Sequence, residues 1–238
     1  MKDRIFRKIF TIGWLLFIII GLGYAQGIAQ SNHTKSIHQA VDALGRTVTI
    51  DHEIQRVMVV GRAAVMPADA LYLFPSALDM EVILAKTDQG LGDFFDLARF
   101  ESVADHRLAQ QVGAEEILAH QPDLVLTKAN NYDSIVKLLK PFDIPLFVMD
   151  LETPESWKHE IVELGKLLGD TATPQRIIEE FEKRETVVDT RIATLSEHQR
   201  PRILMMQVAT ADGVTAFSVS PKDWFQTTLA HRSGGVPV

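Results

Sequence analysis

Val112-Gly113-Ala114-Glu115-Glu116-Ile117-Leu118-Ala119-His120-Gln121-Pro122-Asp123-Leu124-Val125-Leu126-Thr127 is the stretch that decides the fold. It reads as a short helix, halted at Gln121-Pro122 because proline lacks the amide hydrogen and crowds the turn before it. An apolar strand follows, with Asp123 at its start. Thr127 to Tyr132 then leaves the strand's carboxyl end as a polar loop with an aromatic tip, and open α/β sheets hold their ligands at such loops.

Working outward, the next segment repeats the unit. A helix from about Asp133 to Lys140, stopped by Pro141, and a strand from Leu146 to Met149 complete a parallel β-α-β crossover of ordinary length. Asp150-Leu151-Glu152 leaves on the same sheet edge as the Lys128–Tyr132 loop, so both loops are expected to face one crevice. Upstream, Val57 to Val60 is an apolar strand that runs through Gly61-Arg62 into a helical pattern reaching Leu71 and Leu73. Val82 to Ala85 is a further short strand, and the aromatic-rich segment 91–100 reads as a helix over the core. Gly90-x-Gly92 lacks the third glycine of a dinucleotide loop. These units make a first α/β lobe over residues 41–152.

Residues 153–198 read as helices. Thr153-Pro154 caps one whose Trp157, Ile161, Leu164 and Leu168 share a face and which Gly169 ends. Thr173-Pro174 caps the next, periodic to about Leu195 and about 33 Å long at the ordinary helical rise. Residues 199–238 open a second α/β region, whose sheet starts with Pro201 to Val208. Its helix is capped by Ser220, starts at Pro221 and ends at Gly234-Gly235.

The amino terminus carries Lys2, Arg4, Arg7 and Lys8, then an uncharged run from Ile9 to Leu22, then Gly23-Tyr24-Ala25. Residues 1–25 therefore read as a cleaved export signal and 26–40 as a polar linker. Removing 1–25 takes away four basic residues and Asp3, so the 24 basic and 31 acidic residues become 20 and 30, a net charge of −10. That balance argues against nucleic acid or an anionic membrane surface as partner. The chain has no cysteine; this leaves no disulfide and no lipid-anchor cysteine, and a free periplasmic protein is expected.

Three motifs in order carry a resemblance: Asp42-x-x-Gly45-Arg46-x-Val48-x-Ile50 with Arg56 before an apolar strand; the short helix before Pro122-Asp123-Leu124-Val125; and a late strand, loop and helix ending in Gly234-Gly235. Together the chain resembles the substrate-binding proteins of ABC importers, in the class that takes up iron-siderophores, haem and cobalamin. The resemblance implies two Rossmann-like βα lobes joined by a long spine helix that permits only modest closure. It also implies a metal chelate held between the lobes, a monomer, and delivery to an inner-membrane permease. It gives Glu115 the role of the exposed first-lobe acid that meets an arginine of the permease. The matching second-lobe acid is missing, since Ala230-His231-Arg232 stands there. A full second lobe would also continue past Gly-Gly, so the chain ending at Val238 reads as truncated and as a weak or inactive binder.

No nucleophile elbow, phosphate loop or histidine-glutamate zinc helix is present, and the eight histidines show no i, i+4 pair, so neither catalysis, a dedicated metal site nor a cofactor is expected. Adjacent Glu115 and Glu116 point to different sides of their helix and do not make an acid/base pair. The expected ligand contacts sit on loops: Arg62, Lys128, Asn131 and Tyr132 on the first lobe, Lys222 and Trp224 across the cleft. Apolar ligands with acidic edges call for aromatic faces and cationic groups. Two alternatives stay open: an exported enzyme on a similar, chelatase-like scaffold, and a non-functional fragment of a binding protein.

Overall fold

The structure is a computed structural model that describes residues 37–86, 107–109, 111–211 and 213–238. The export signal, the linker up to residue 36, the 91–100 helix and Gly90-x-Gly92 lie outside the described residues.

A five-stranded sheet forms the centre. Its strands are β3 (Arg56–Val60), β4 (Glu81–Ala85), β5 (Arg107–Leu108), β6 (Leu124–Lys128) and β7 (Leu146–Met149). They run in the order β5-β4-β3-β6-β7, each pair parallel. A parallel sheet is covered on both faces and so is built from uninterrupted apolar runs. Val57-Met58-Val59-Val60 and Leu124-Val125-Leu126 are such runs, fully buried. The covering helices are α1 (Val65–Leu71), α2 (Ala114–His120), α3 (Tyr132–Leu139) and α4 (Pro154–Leu168).

The deciding stretch folds as read, and the structure shows why. α2 stops where Gln121 turns left-handed at φ 46° before Pro122. Asp123 then locks register: its carboxylate accepts the amides of Gln55 and Arg56, both at 2.8 Å, and its own amide donates to the Arg56 carbonyl. Val57 is thereby set beside Leu124. Arg56 completes the corner with Glu81 and the His120 carbonyl.

Strand β1 (His38–Val41), whose first three residues were assigned to the linker from sequence, is antiparallel to β2 (Thr47–Ile50). This hairpin shields the free edge of β7. Ala43 donates to the Val148 carbonyl at 2.9 Å, Val148 donates to Asp42, and the Arg46 guanidinium reaches the Leu146 carbonyl at 3.0 Å. Buried Asp42 also accepts the amides of Leu44 and Arg46 and pairs with the Arg46 side chain. Gly45, at φ 73°, makes the tight turn between them. The Asp-x-x-Gly-Arg motif is therefore a device that seals a sheet edge.

α4 begins at Thr153 with a reciprocal Thr153–Ser156 cap and ends at left-handed Gly169, as expected. The next helix, α5 (Ala172–Ile192), starts earlier than Thr173-Pro174 suggested, because the Asp170 carboxylate accepts the amides of Ala172 and Thr173 and takes the capping role. It is about 31 Å long.

Beyond α5 the expected strand 201–208 is broken into β8 (Arg202–Ile203) and β9 (Met206–Ala211). β9 forms a hairpin with β10 (Val214–Val219), and β8 pairs in parallel with β11 (Val236–Pro237). The expected helix from Pro221 begins four residues later, as α6 (Phe225–Arg232). Met206, Val208, Phe217 and Val219 share one face of the hairpin and are each more than half exposed. No helix among the described residues is long and apolar enough to cross a membrane.

Candidate functional site

The carboxyl ends of β3, β6 and β7 form one rim, as the sheet order requires. At the end of β3 the chain turns through Gly61, at φ +94°. A Cβ there would lie 2.7 Å from the Asn131 side-chain carbon, so only glycine fits. The Asn131 amide uses that space to clasp the neighbouring loop. Its oxygen accepts from the Arg62 amide at 3.1 Å, and its nitrogen donates to the Arg62 carbonyl at 2.9 Å. Thr127 adds a bond to the Val60 carbonyl at 2.8 Å. Arg62 is thus held by its backbone while its side chain stands exposed.

The other expected first-lobe contacts have structural work. Lys128 is 2% exposed; its ammonium donates to the Asp150 carbonyl at 2.5 Å, pairs with Glu152 and touches the Met66 sulfur at 3.6 Å. Asn131 is buried in the clasp. Tyr132 is the first residue of α3 rather than a loop tip, half-buried with the Arg46 guanidinium 4.5 Å above its ring. Lys128 to Tyr132 is a strand end passing through a 3-10 turn directly into a helix.

Lys222 and Trp224 lie in the turn before α6, both exposed. Among the described residues a backbone bond ties this turn to the first sheet, from the Phe225 amide to the Glu152 carbonyl at 2.8 Å. Arg62 and Asn131 are therefore brought into direct contact, and Lys128 reaches the Trp224 turn through Glu152. Glu115 is in the first turn of α2, exposed.

Sequence reading missed Glu160, which is 2% exposed. Its carboxylate accepts the amides of Asp150 at 2.7 Å and Leu151 at 3.2 Å, holding Leu151 at a left-handed φ of 58°. Burial pushes its pKa up to about 7, and the Asp150 charge adds to the rise; the two amide bonds and Lys128 oppose it. A signal was available, since Glu160 falls within the Trp157-Ile161-Leu164 stripe, where an acid needs a reason.

Two surface grooves lie elsewhere. One of about 790 Å³ runs between β2 and α3, past Arg46, His52 and Lys140. Another of about 580 Å³ lies at the amino ends of the strands, beside Arg56, Asp79, Glu81 and Asp123. Among the described residues no group of three or more histidines or acids is placed to hold a metal. What the rim offers chemically is a solvent-facing guanidinium on a fixed backbone, suited to an anionic ligand.

Comparison with known structures agrees with this architecture. VctP, the periplasmic catecholate-siderophore binding protein of Vibrio cholerae, matches 85% of this chain and 67% of its own, at 19% identity and a TM-score of 0.57. The petrobactin-binding protein YclQ of Bacillus subtilis matches 85% of this chain and 67% of its own, at 15% identity and a TM-score of 0.60. IsdE of S. aureus, solved with heme, matches 78% of this chain and 65% of its own, at 16% identity and a TM-score of 0.56. No protein-family model and no curated protein matches the sequence. The chain spans 66%, 60% and 64% of the first three solved structures it resembles. It has the fold of periplasmic siderophore- and haem-binding proteins, with a parallel five-stranded α/β sheet followed by the long helix α5.

Proposed function

We propose that the chain is the exported binding component of an ABC importer, taking up a metal chelate with anionic edges and handing it to an inner-membrane permease. A ferric siderophore, haem or a cobalamin-like compound fits this description. The observation that carries the reading is Arg62: its backbone is clasped by Asn131 at the carboxyl-end rim of the sheet, and its exposed guanidinium has no side-chain partner among the described residues. Surface arginines are ordinarily paired or mobile, and one whose backbone is clamped loses less freedom when it binds.

On this reading Trp224 and Lys222 face Arg62 across the cleft, and Glu115 is the contact for the permease. Contacts from one exposed guanidinium and one aromatic face lead us to expect affinity in the micromolar range, about −8 kcal/mol. Titrating ferric catecholates, haem and cobalamin while following tryptophan fluorescence tests it. Saturable binding to one class supports the reading; no response to any of them overturns it.

A further inference from the structure

Both faces of the β9–β10 hairpin are open: Met206 to Thr210 and Val214 to Val219 are exposed throughout. Two strands alone are marginally stable in water and call for further strands or an apolar contact. The register sorts their side chains. Met206 lies beside Val219 and Val208 beside Phe217, so these four share a face, each between 54% and 66% exposed. Thr210 and Thr215 extend that face, and their hydroxyls bond each other at 3.1 Å, so this end can lose water without leaving them unpaired. The intervening positions, on the opposite face, pair Gln207 with Ser218 and Ala209 with Ala216, which are small or polar.

We propose that the Met206–Val208–Phe217–Val219 face is the interface of a symmetric dimer, in which the hairpin of one copy lies on the hairpin of a second copy and Phe217 of each covers Val208 of the other.

Shape, area and charge select a second copy. A two-fold axis parallel to the strands lays β10 of one copy over β9 of the other at equal height. Phe217 then meets Val208 and Val219 meets Met206, each contact made twice, with the large ring set against the small side chain. Leu204, two residues ahead of Met206, is 54% exposed and adds to the patch. At roughly 90 Å² for each half-exposed side chain of this size, these five residues and the threonine pair offer about 630 Å² per copy. The pair of copies would cover about 1,250 Å², at the lower end of specific interfaces. Residues 203–220 hold one charged residue, Asp212, in a chain of net charge −7. Two copies repel through the rest of their surfaces and can approach through this stretch, whereas an anionic lipid surface finds no cation on it.

None of these residues is a proposed ligand contact, so the outcome is independent of the binding reading. Sedimentation equilibrium of the purified chain from about 1 to 300 µM is expected to show a reversible monomer–dimer equilibrium, with a dissociation constant of about 1–100 µM. Phe217→Lys places a charge in the apolar contact and should raise that constant at least about a hundredfold. Ala216→Lys adds the same charge to the opposite face and should leave it within about twofold. Val208→Thr keeps the shape but adds a hydroxyl, should weaken the dimer about tenfold, and serves if the lysine variant does not fold. The proposal is overturned if the chain stays monomeric throughout, if it forms open-ended species larger than a dimer, if neither Phe217→Lys nor Val208→Thr weakens the dimer, or if Ala216→Lys weakens it as much. A monomer that floats with vesicles of phosphatidylcholine and phosphatidylserine would overturn it too, by showing that lipid covers this face.

Discussion

Replacing Asp42 by alanine is expected to cost about 3 kcal/mol of stability, and the structure indicates where that cost arises. The carboxylate accepts from the amides of Leu44 and Arg46 at 3.0 Å each, from Val148 at 3.3 Å and from the Arg46 guanidinium. Leu44 lies in an exposed turn, and the Arg46 side chain is about one-third exposed, 32%; both recover water when the acid is gone. Val148 is fully buried and its amide cannot, which alone costs roughly 1–3 kcal/mol. The lost charge-assisted bonds at the turn add about 1 kcal/mol more. Arg46→Met should cost about half as much, because Asp42 would keep three amides that still stabilise its charge. Urea unfolding followed by tryptophan fluorescence reads both, provided the transitions are two-state with unchanged slope. A cost below about 1 kcal/mol for Asp42→Ala, or a larger cost for Arg46→Met, would refute the idea that this acid organises the sheet edge.

Three further outcomes follow from the same geometry. Glu160 has a folded pKa of about 7 against an ordinary 4.5, so its neutral form favours the fold. The stabilisation it gives is complete below pH 4.5, declines as pH rises towards 7 and is gone above. Glu160→Gln should therefore match the natural chain at pH 4.5 and exceed it at pH 8, by up to about 3 kcal/mol at roughly 1.4 per pKa unit; a urea midpoint difference independent of pH would contradict this. Gly61→Ala must push a methyl to within 2.7 Å of Asn131 at a φ of +94°, and should cost about 2–3 kcal/mol in thermal or urea unfolding; an unchanged midpoint would show that the Asn131 clasp yields freely. Arg62→Ala should weaken binding of an anionic chelate about tenfold to a hundredfold without moving the unfolding midpoint, since its side chain is exposed and a charge-assisted bond is worth about 1.5–3 kcal/mol.

The strands were legible because a parallel sheet demands continuous apolar runs, and Val57–Val60, Val82–Ala85, Leu124–Thr127 and Leu146–Met149 are such runs. The ends of α2 and α4 were legible from Pro122, Thr153-Pro154 and Gly169, whose effects are local. What escaped was set by distant partners. β1 is a tetrapeptide, His-Gln-Ala-Val, too short to show a pattern, and its strand state depends on its hairpin mate. Ser220-Pro221 has a helix-opening pattern, but the Ser220 amide donates to the Met205 carbonyl and the helix waits until Phe225, whose amide meets Glu152.

The candidate site divides in the same way. Its rim could be placed from strand ends alone, and Arg62 stands there exposed. Lys128, Asn131 and Tyr132 were assigned to ligand because they follow a strand. A residue at a strand end turns inward or outward according to what lies beside it, here Glu152, the Arg62 backbone and Arg46, none of which adjoins it in sequence.

The central claim is that the rim around Arg62 receives an anionic metal chelate. Its most direct test is a fluorescence titration of the purified chain and its Arg62→Ala variant, side by side, with ferric catecholate, haem and cobalamin. The account predicts saturable one-to-one binding of one of these classes in the micromolar range, weakened at least about tenfold in the variant. Equal binding by both proteins, or no binding by either, would contradict it.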